Sequence, residues 1–152
     1  MDWGTLIGTG LGAVVGVGST LIADRVRWKR DQGARQEDVK RQLYGEYLTA
    51  LTRTRNELKE LRGAAVAPDE RARLAGQFYR QGGAYELRYQ LAITAPTAVV
   101  ECSEDALRKL RVVREKIEED VTGAPLDEEF TALIHSVKSL RDATRSDLGA
   151  DA

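Results

Sequence analysis

The sequence predicts an all-α protein: a single N-terminal transmembrane helix followed by an antiparallel bundle of about four helices. Three observations lead there. Residues Trp3–Ala23 form a run of 21 residues without a charge. Beyond it, apolar residues recur at helical 3–4 spacing and no segment sustains the alternation of a half-buried strand. The three prolines, Pro68, Pro96 and Pro125, stand 28 and 29 residues apart. Proline is expelled from helix interiors but accepted in a first turn, so this spacing marks corners between helices of similar length. The expected organisation is a transmembrane anchor at 1–23, a basic juxtamembrane collar at 24–41, the bundle at 42–148 and a fraying tail at 149–152.

The apolar run is long enough to cross a bilayer, because about 20 residues rising 1.5 Å each span the hydrocarbon core. Trp3 and Trp28 bracket it. A helix would hold them about 37 Å apart, near the ~40 Å between the two interfaces where Trp settles. Only Asp2 precedes the run, whereas Arg25, Arg27, Lys29 and Arg30 follow it, then Arg35, Lys40 and Arg41. Lys and Arg stay on the cytoplasmic side, which places the chain in the cell membrane as a single-pass protein, N-terminus outside and C-terminal domain cytoplasmic. Trp3, Trp28, Arg25, Arg27, Lys29 and Arg30 would then be interfacial anchors, with membrane lipid as a partner.

Other readings of the run fit less well. A cleavable signal peptide wants a basic start, a shorter apolar stretch and a small-residue cleavage site, and Leu21-Ile22-Ala23 is a poor one. A buried helix of a soluble protein remains the bland alternative, since six glycines make the run only moderately hydrophobic. Gly8, Gly10 and Ala13 match a dinucleotide-binding pattern, but that pattern requires a preceding strand and a βαβ unit, and the match is accidental. The glycines carry more as packing. Gly4, Gly8, Gly12 and Gly16 recur every four residues along one helix stripe, the spacing that lets two membrane helices approach closely. Gly10 and Gly18 fall off that stripe, so general glycine richness is the competing explanation.

Four segments follow. The first, from Asp24 to Arg62, is apolar in its distal half at Tyr44, Leu48, Leu51, Leu58 and Leu61, with Arg55 interrupting; Gly33 is a candidate hinge. The second, from Asp69 to Thr94, offers Leu74, Phe78, Tyr85, Leu87 and Leu91, and its Gly82-Gly83 pair is either a kink or a close helix crossing. The third, from Thr97 to Val121, offers Val99, Ala106, Leu110, Val113, Ile117 and Val121. The fourth, from Asp127 to Leu148, offers Phe130, Leu133, Ile134, Val137 and Leu140, with Asp127 as expected N-cap and Glu128 and Glu129 suiting the positive end of the helix dipole. Amphipathic helices joined by short corners pack most simply as an antiparallel bundle; the alternative is an extended coiled-coil hairpin completed by a second copy. Stripes broader than a strict coiled-coil seam on the second and fourth segments favour the bundle.

At LYGEYLTAL (Leu43–Leu51) and YELRYQLAITAPTAVV (Tyr85–Val100) the chain resembles a diffuse group of small, uncharacterised bacterial membrane-anchored helical proteins. These carry an N-terminal anchor, an Arg/Glu-rich collar, an aromatic-containing helix and a helix ending in an Ala-Pro corner. The resemblance covers Arg25 to Leu110 and implies architecture and location, with no activity.

Composition and chemistry exclude more than they assign. The net charge is −1, so no overall basic field calls for nucleic acid, and the local basic collar suits anionic lipid. Cys102 is the only cysteine, which rules out an internal disulfide. Arg outnumbers Lys 17 to 6, a mark of genome composition. His135 is the sole histidine and lacks the further His, Cys or Glu-x-x-His ligands of a metal site; it is expected to be partly buried or at an edge. Cys102 lies among Glu101, Glu104 and Asp105, which raise a thiol pKa, and is expected to be a small core residue. The carboxylate run Glu118-Glu119-Asp120 lies at a helix end, with no cleft to part its pKa values. Arg71, Arg73, Arg80 and Arg88, interleaved with Tyr79, Tyr85 and Tyr89, are offset by Glu70 and Glu86 and read as a solvated helix face.

The sequence therefore points to a membrane-anchored interaction or scaffold module without catalysis, cofactor, metal, nucleic acid or small-molecule substrate. Its partners would be lipid and either another protein or itself. The competing functions are a membrane-active, pore- or holin-like oligomer assembled through the glycine stripe, and an enzyme using Cys102 or His135.

Overall fold

The computed structural model describes residues 35–150. Contacts divide the chain into residues 1–39 and 40–152, and the bundle belongs to the second unit. The run Trp3–Ala23 with its stripe Gly4, Gly8, Gly12 and Gly16, and the collar residues Arg25, Arg27, Trp28, Lys29 and Arg30, lie outside the described residues. Among those described, no helix is long and apolar enough to cross a membrane.

The described residues are all-α, without a strand. A helix over residues 35–63, here α1, leads. It is followed by α2 (Pro68–Gln81), α3 (Ala84–Thr94), α4 (Thr97–Glu118) and α5 (Ala124–Asp147). Helix α1 turns Tyr44, Tyr47, Leu51, Thr54, Leu58 and Leu61 inward. Those steps of three and four residues are the seam by which a helix packs along neighbours. The expected Leu48 is only half-buried, and Tyr47 takes the inner position. Thr54 fills a core place because its hydroxyl donates to the Ala50 carbonyl one turn back, at 3.0 Å, so the buried oxygen is satisfied.

Polar contacts fix the helix directions. At one end of the bundle Lys40 and Tyr44 of α1 meet Asp147, the last residue of α5. At the other end Arg62 of α1 pairs with Asp127 near the start of α5, so α1 and α5 are antiparallel. Arg71 of α2 pairs with Asp120 just past α4, and Arg88 of α3 pairs with Glu104 early in α4; this leg runs against α4. Tyr47 donates to the Ser103 carbonyl at 2.8 Å and sets α1 parallel to α4. The result is an up-down-up-down bundle whose second leg is broken into α2 and α3. Its core is made by Tyr47, Leu51 and Leu58 with Leu91, Val99, Leu110, Val113, Ile117, Leu126, Leu133 and Leu140.

The break at Gly82-Gly83 is both the kink and the close crossing that the sequence left as alternatives. Gly83 has φ 75°, a left-handed turn that only glycine takes freely. Gly82 is ordinary helical backbone pressed against α1: a Cβ there would come within 2.0 Å of Thr54 Oγ1. Arg53 Nη2 reaches over from α1 to the Gly82 carbonyl at 3.0 Å and satisfies the end of α2.

Two expectations for α5 are corrected. It starts at Ala124 with Gly123 as N-cap at φ 72°, not at Asp127. Pro125 occupies the first turn, where its missing N–H costs nothing, and carries the start upstream. Asp127 falls inside that turn and is engaged by Arg62. Ile134 is exposed rather than core, because the buried line runs through Phe130, Leu133 and Leu140, and Ile134 falls to its side. Helices α4 and α5 end in the same six-to-one cap. After α4, Val121 N–H bonds the Lys116 carbonyl at 2.9 Å and Asp120 N–H bonds Ile117 at 3.1 Å. After α5, Ala150 bonds Arg145 at 3.0 Å and Gly149 bonds Ser146 at 3.1 Å. Gly149 supplies the left-handed residue at φ 65°; after α4 it is Asp120, at φ 56°.

Candidate interaction surface

Most of the buried polar chemistry is spent on fastening helices. Tyr44 Oη donates to Asp147 Oδ2 at 2.6 Å, and Lys40 Nζ donates to both carboxylate oxygens at 3.0 and 3.3 Å. Burial pushes the Asp147 carboxyl up, but the hydrogen bonds from Tyr44 and Lys40 outweigh it and hold the group below the usual carboxylate range. Burial pushes the Tyr44 phenol up, and the bond to Asp147 and its charge push the same way. Tyr47 is raised chiefly by burial. Both phenols are therefore protonated donors whose proton already has an acceptor, a structural arrangement rather than a base or a nucleophile.

Cys102 is half-buried against the core, and burial, then Asp105 and Glu101, raise its thiol. His135 is exposed, which corrects the expectation of a partly buried or edge position, and it lines a shallow open depression with Ala124, Asp127, Glu128, Thr131 and Ala132. Among the described residues no group of His, Cys, Asp and Glu could hold a metal ion.

Three of the arginines that interleave with tyrosines are paired with carboxylates, two of them across helices. Arg71 pairs with Asp120 and donates to the Ala64 and Val66 carbonyls of the α1–α2 corner at 3.3 and 3.2 Å. Arg73 pairs with Glu70 at 2.7 Å and Arg88 with Glu104 at 2.9 Å. Tyr79 is half-buried beneath the Arg114 guanidinium, 4.9 Å from its ring centroid. A phosphate backbone would have to displace these partners, so the group does not form a bare basic track.

The feature that sequence reasoning missed is the outer face of α3. Tyr85, Leu87 and Leu91 are the apolar residues that the sequence offers here, but residues two apart point to nearly opposite sides of a helix. The structure turns Ala84 and Leu91 inward and leaves Tyr85, Tyr89 and Ile93 outward, 42%, 50% and 84% exposed. These are positions i, i+4 and i+8, a second apolar stripe on the same short helix. The signal was present in the spacing and was absorbed into the core. Tyr85 and Tyr89 meet edge to face with centroids 5.2 Å apart and hydroxyls 2.8 Å apart. The Arg88 guanidinium lies 5.0 Å from the Tyr89 ring and 5.9 Å from that of Tyr85. Arg88 touches both rings and pairs with Glu104, so Arg88 and the tyrosines form one contiguous patch. No family model, curated protein or solved structure matches the chain.

Proposed function

We propose that this chain is a single-pass membrane-anchored helical module that acts by binding a protein partner through Tyr85, Arg88 and Tyr89 of α3, without catalysis or cofactor. The observation that carries the reading is that patch: aromatic rings and an arginine, the residue types that dominate interface energetics, contiguous on the surface. The anchor is argued from the charge-free run Trp3–Ala23, the Trp3 and Trp28 brackets and the collar Arg25, Arg27, Lys29 and Arg30, which also orient the bundle to the cytoplasm. The same architecture is what the resemblance to small anchored bacterial helical proteins implies. Tethering would raise the module's effective concentration for other membrane-bound proteins.

In-cell crosslinking and capture from solubilised membranes tests this, with wild type beside Tyr85→Ala/Tyr89→Ala. A second protein captured by wild type and lost in the double variant, with helical content unchanged, supports the α3 face. Equal capture by both moves the binding site elsewhere. Labelling of the bundle from outside intact cells would overturn the orientation.

One sequence feature favours a second reading. Gly4, Gly8, Gly12 and Gly16 in register could assemble several copies into a pore- or holin-like lesion. Overexpression would then release an entrapped dye, and Gly8→Leu with Gly12→Leu would abolish the release. Absence of leakage at high expression sinks this reading.

A further inference from the structure

Twelve consecutive residues, Tyr89–Val100, carry no charge, with Arg88 before them and Glu101 after. They include the corner between α3 and α4. Leu91 and Val99 are sunk in the core on either side of it. The Ala95 N–H closes the end of α3 on the Leu91 carbonyl at 2.8 Å, and Pro96 caps the start of α4. Ile93, Thr94, Pro96, Thr97 and Ala98 are thereby held out in solvent on a fixed frame. Ile93, at 84%, is the most exposed large apolar side chain among the described residues. Folding leaves most of that side chain in water.

The position of this corner supplies a reason. The Tyr47–Ser103, Arg88–Glu104 and Tyr44–Asp147 contacts place the end of α3 and the start of α4 at the same end of the bundle as Lys40 and Asp147. The chain thus enters the bundle at the end where the corner protrudes. The charge-free run ends at Ala23, and the 11 residues between it and the start of α1 reach at most about 40 Å. A bilayer holding that run would be within reach of the corner at high effective concentration.

We propose that the α3–α4 corner, Ile93–Ala98, seats in the interfacial layer of the bilayer that carries the anchor, a second and reversible lipid contact. The proposal rests on the membrane-anchored reading. Ile93 supplies the apolar insertion, no charge has to be desolvated, and Tyr89 one turn back stands where a phenol meets headgroups. One small wedge binds membrane marginally; in a tethered domain it sets orientation instead, standing the bundle on this end.

The test uses the full chain in vesicles of phosphatidylcholine and phosphatidylglycerol. Cys102→Ala removes the native thiol, and Ile93→Cys or, at the far end, Thr122→Cys carries an environment-sensitive fluorophore. Flotation first reports whether the chain is in the membrane. Expected is loss of emission from position 93, and not from 122, when the lipid chains are brominated near their glycerol ends. Chain that floats while both labels ignore bromine overturns the corner contact and leaves the anchor standing. Chain that does not float overturns the anchor itself. A blue shift at 93 that persists in detergent and grows with protein concentration assigns the corner to a second copy, which also overturns the proposal.

Discussion

Gly82→Ala separates packing from propensity because the two demand opposite signs. By helix propensity alone, alanine at this helical φ and ψ gains up to about 1 kcal/mol. The structure opposes it. The new methyl would sit 2.0 Å from Thr54 Oγ1 and 3.2 Å from both Thr54 Cβ and the Phe78 carbonyl. Thr54 has nowhere to go: it is fully buried, β-branched and hydrogen-bonded to Ala50. Overpacking of this kind costs about 1–3 kcal/mol, so against the propensity gain the net loss reaches about 2 kcal/mol. For a bundle of this size that corresponds to a fall in Tm of up to roughly 10 °C, read by far-UV circular dichroism on the full chain. Thr54→Ala removes the nearest atom, so the double variant should lose less than the sum of the singles, by about 0.5–3 kcal/mol. A higher Tm for Gly82→Ala than for wild type would refute the close approach of α1 and the α2 end.

Gly45→Ala is the matched control. Gly45 lies within α1 with nothing near its absent Cβ, and the substitution should raise stability by about 0.5–1 kcal/mol in the same melts. Asp147 and Tyr44 define the pH range. The Asp147 carboxyl is lowered from its usual 3.8, so its contribution is complete above that value and lost as pH falls through the lower folded one. The Tyr44 phenol is raised from 10.0, so its contribution is complete below 10 and lost as pH rises toward the folded value. Melts followed across pH should therefore weaken at both extremes, with Asp147→Asn blunting the acid limb and Tyr44→Phe costing roughly 1–2 kcal/mol near neutrality. Asp120→Ala should be less stable than Asp120→Gly by about 1 kcal/mol, since both lose the Arg71 pair and only glycine accepts the left-handed φ freely. Equal melts for the two would remove that backbone argument. Cys102 should alkylate more slowly at mildly alkaline pH than a free thiol, because burial, Asp105 and Glu101 raise its pKa; a rate equal to that of the free thiol would contradict this.

The helical class and the corners were legible because they follow from spacing and proline stereochemistry, which are local. Pro68 opens α2, Pro96 caps α4 and Pro125 sits in the first turn of α5. What spacing could not decide was which of two adjacent apolar residues faces in. Tyr47 outranks Leu48 because its hydroxyl finds the Ser103 carbonyl in the core, a partner 56 residues away that no window of sequence contains. The stripe that Arg55 interrupts in sequence is carried through the core by Thr54, fully buried against Gly82. Ile134 and Tyr85 were assigned inward on hydrophobicity, yet each falls beside the buried line of its helix. Asp127 resembled an N-cap and serves instead as the partner of Arg62, because Pro125 starts α5 upstream. The α3 face was hidden for a related reason: a short helix apolar on two sides gives no clear periodicity, so its outer stripe was merged with its inner one.

An even number of legs has a mechanical consequence. Lys40 and Asp147 leave the bundle from one end, so tension between them does not slide whole helices past each other. It loads the Tyr44–Asp147–Lys40 contacts first and then peels α1 from α5 turn by turn. Resistance at any instant is that of a few side chains, and the Arg62–Asp127 pair at the far end bears load last. Pulled in this way, the bundle should open like a zipper and extend at low force.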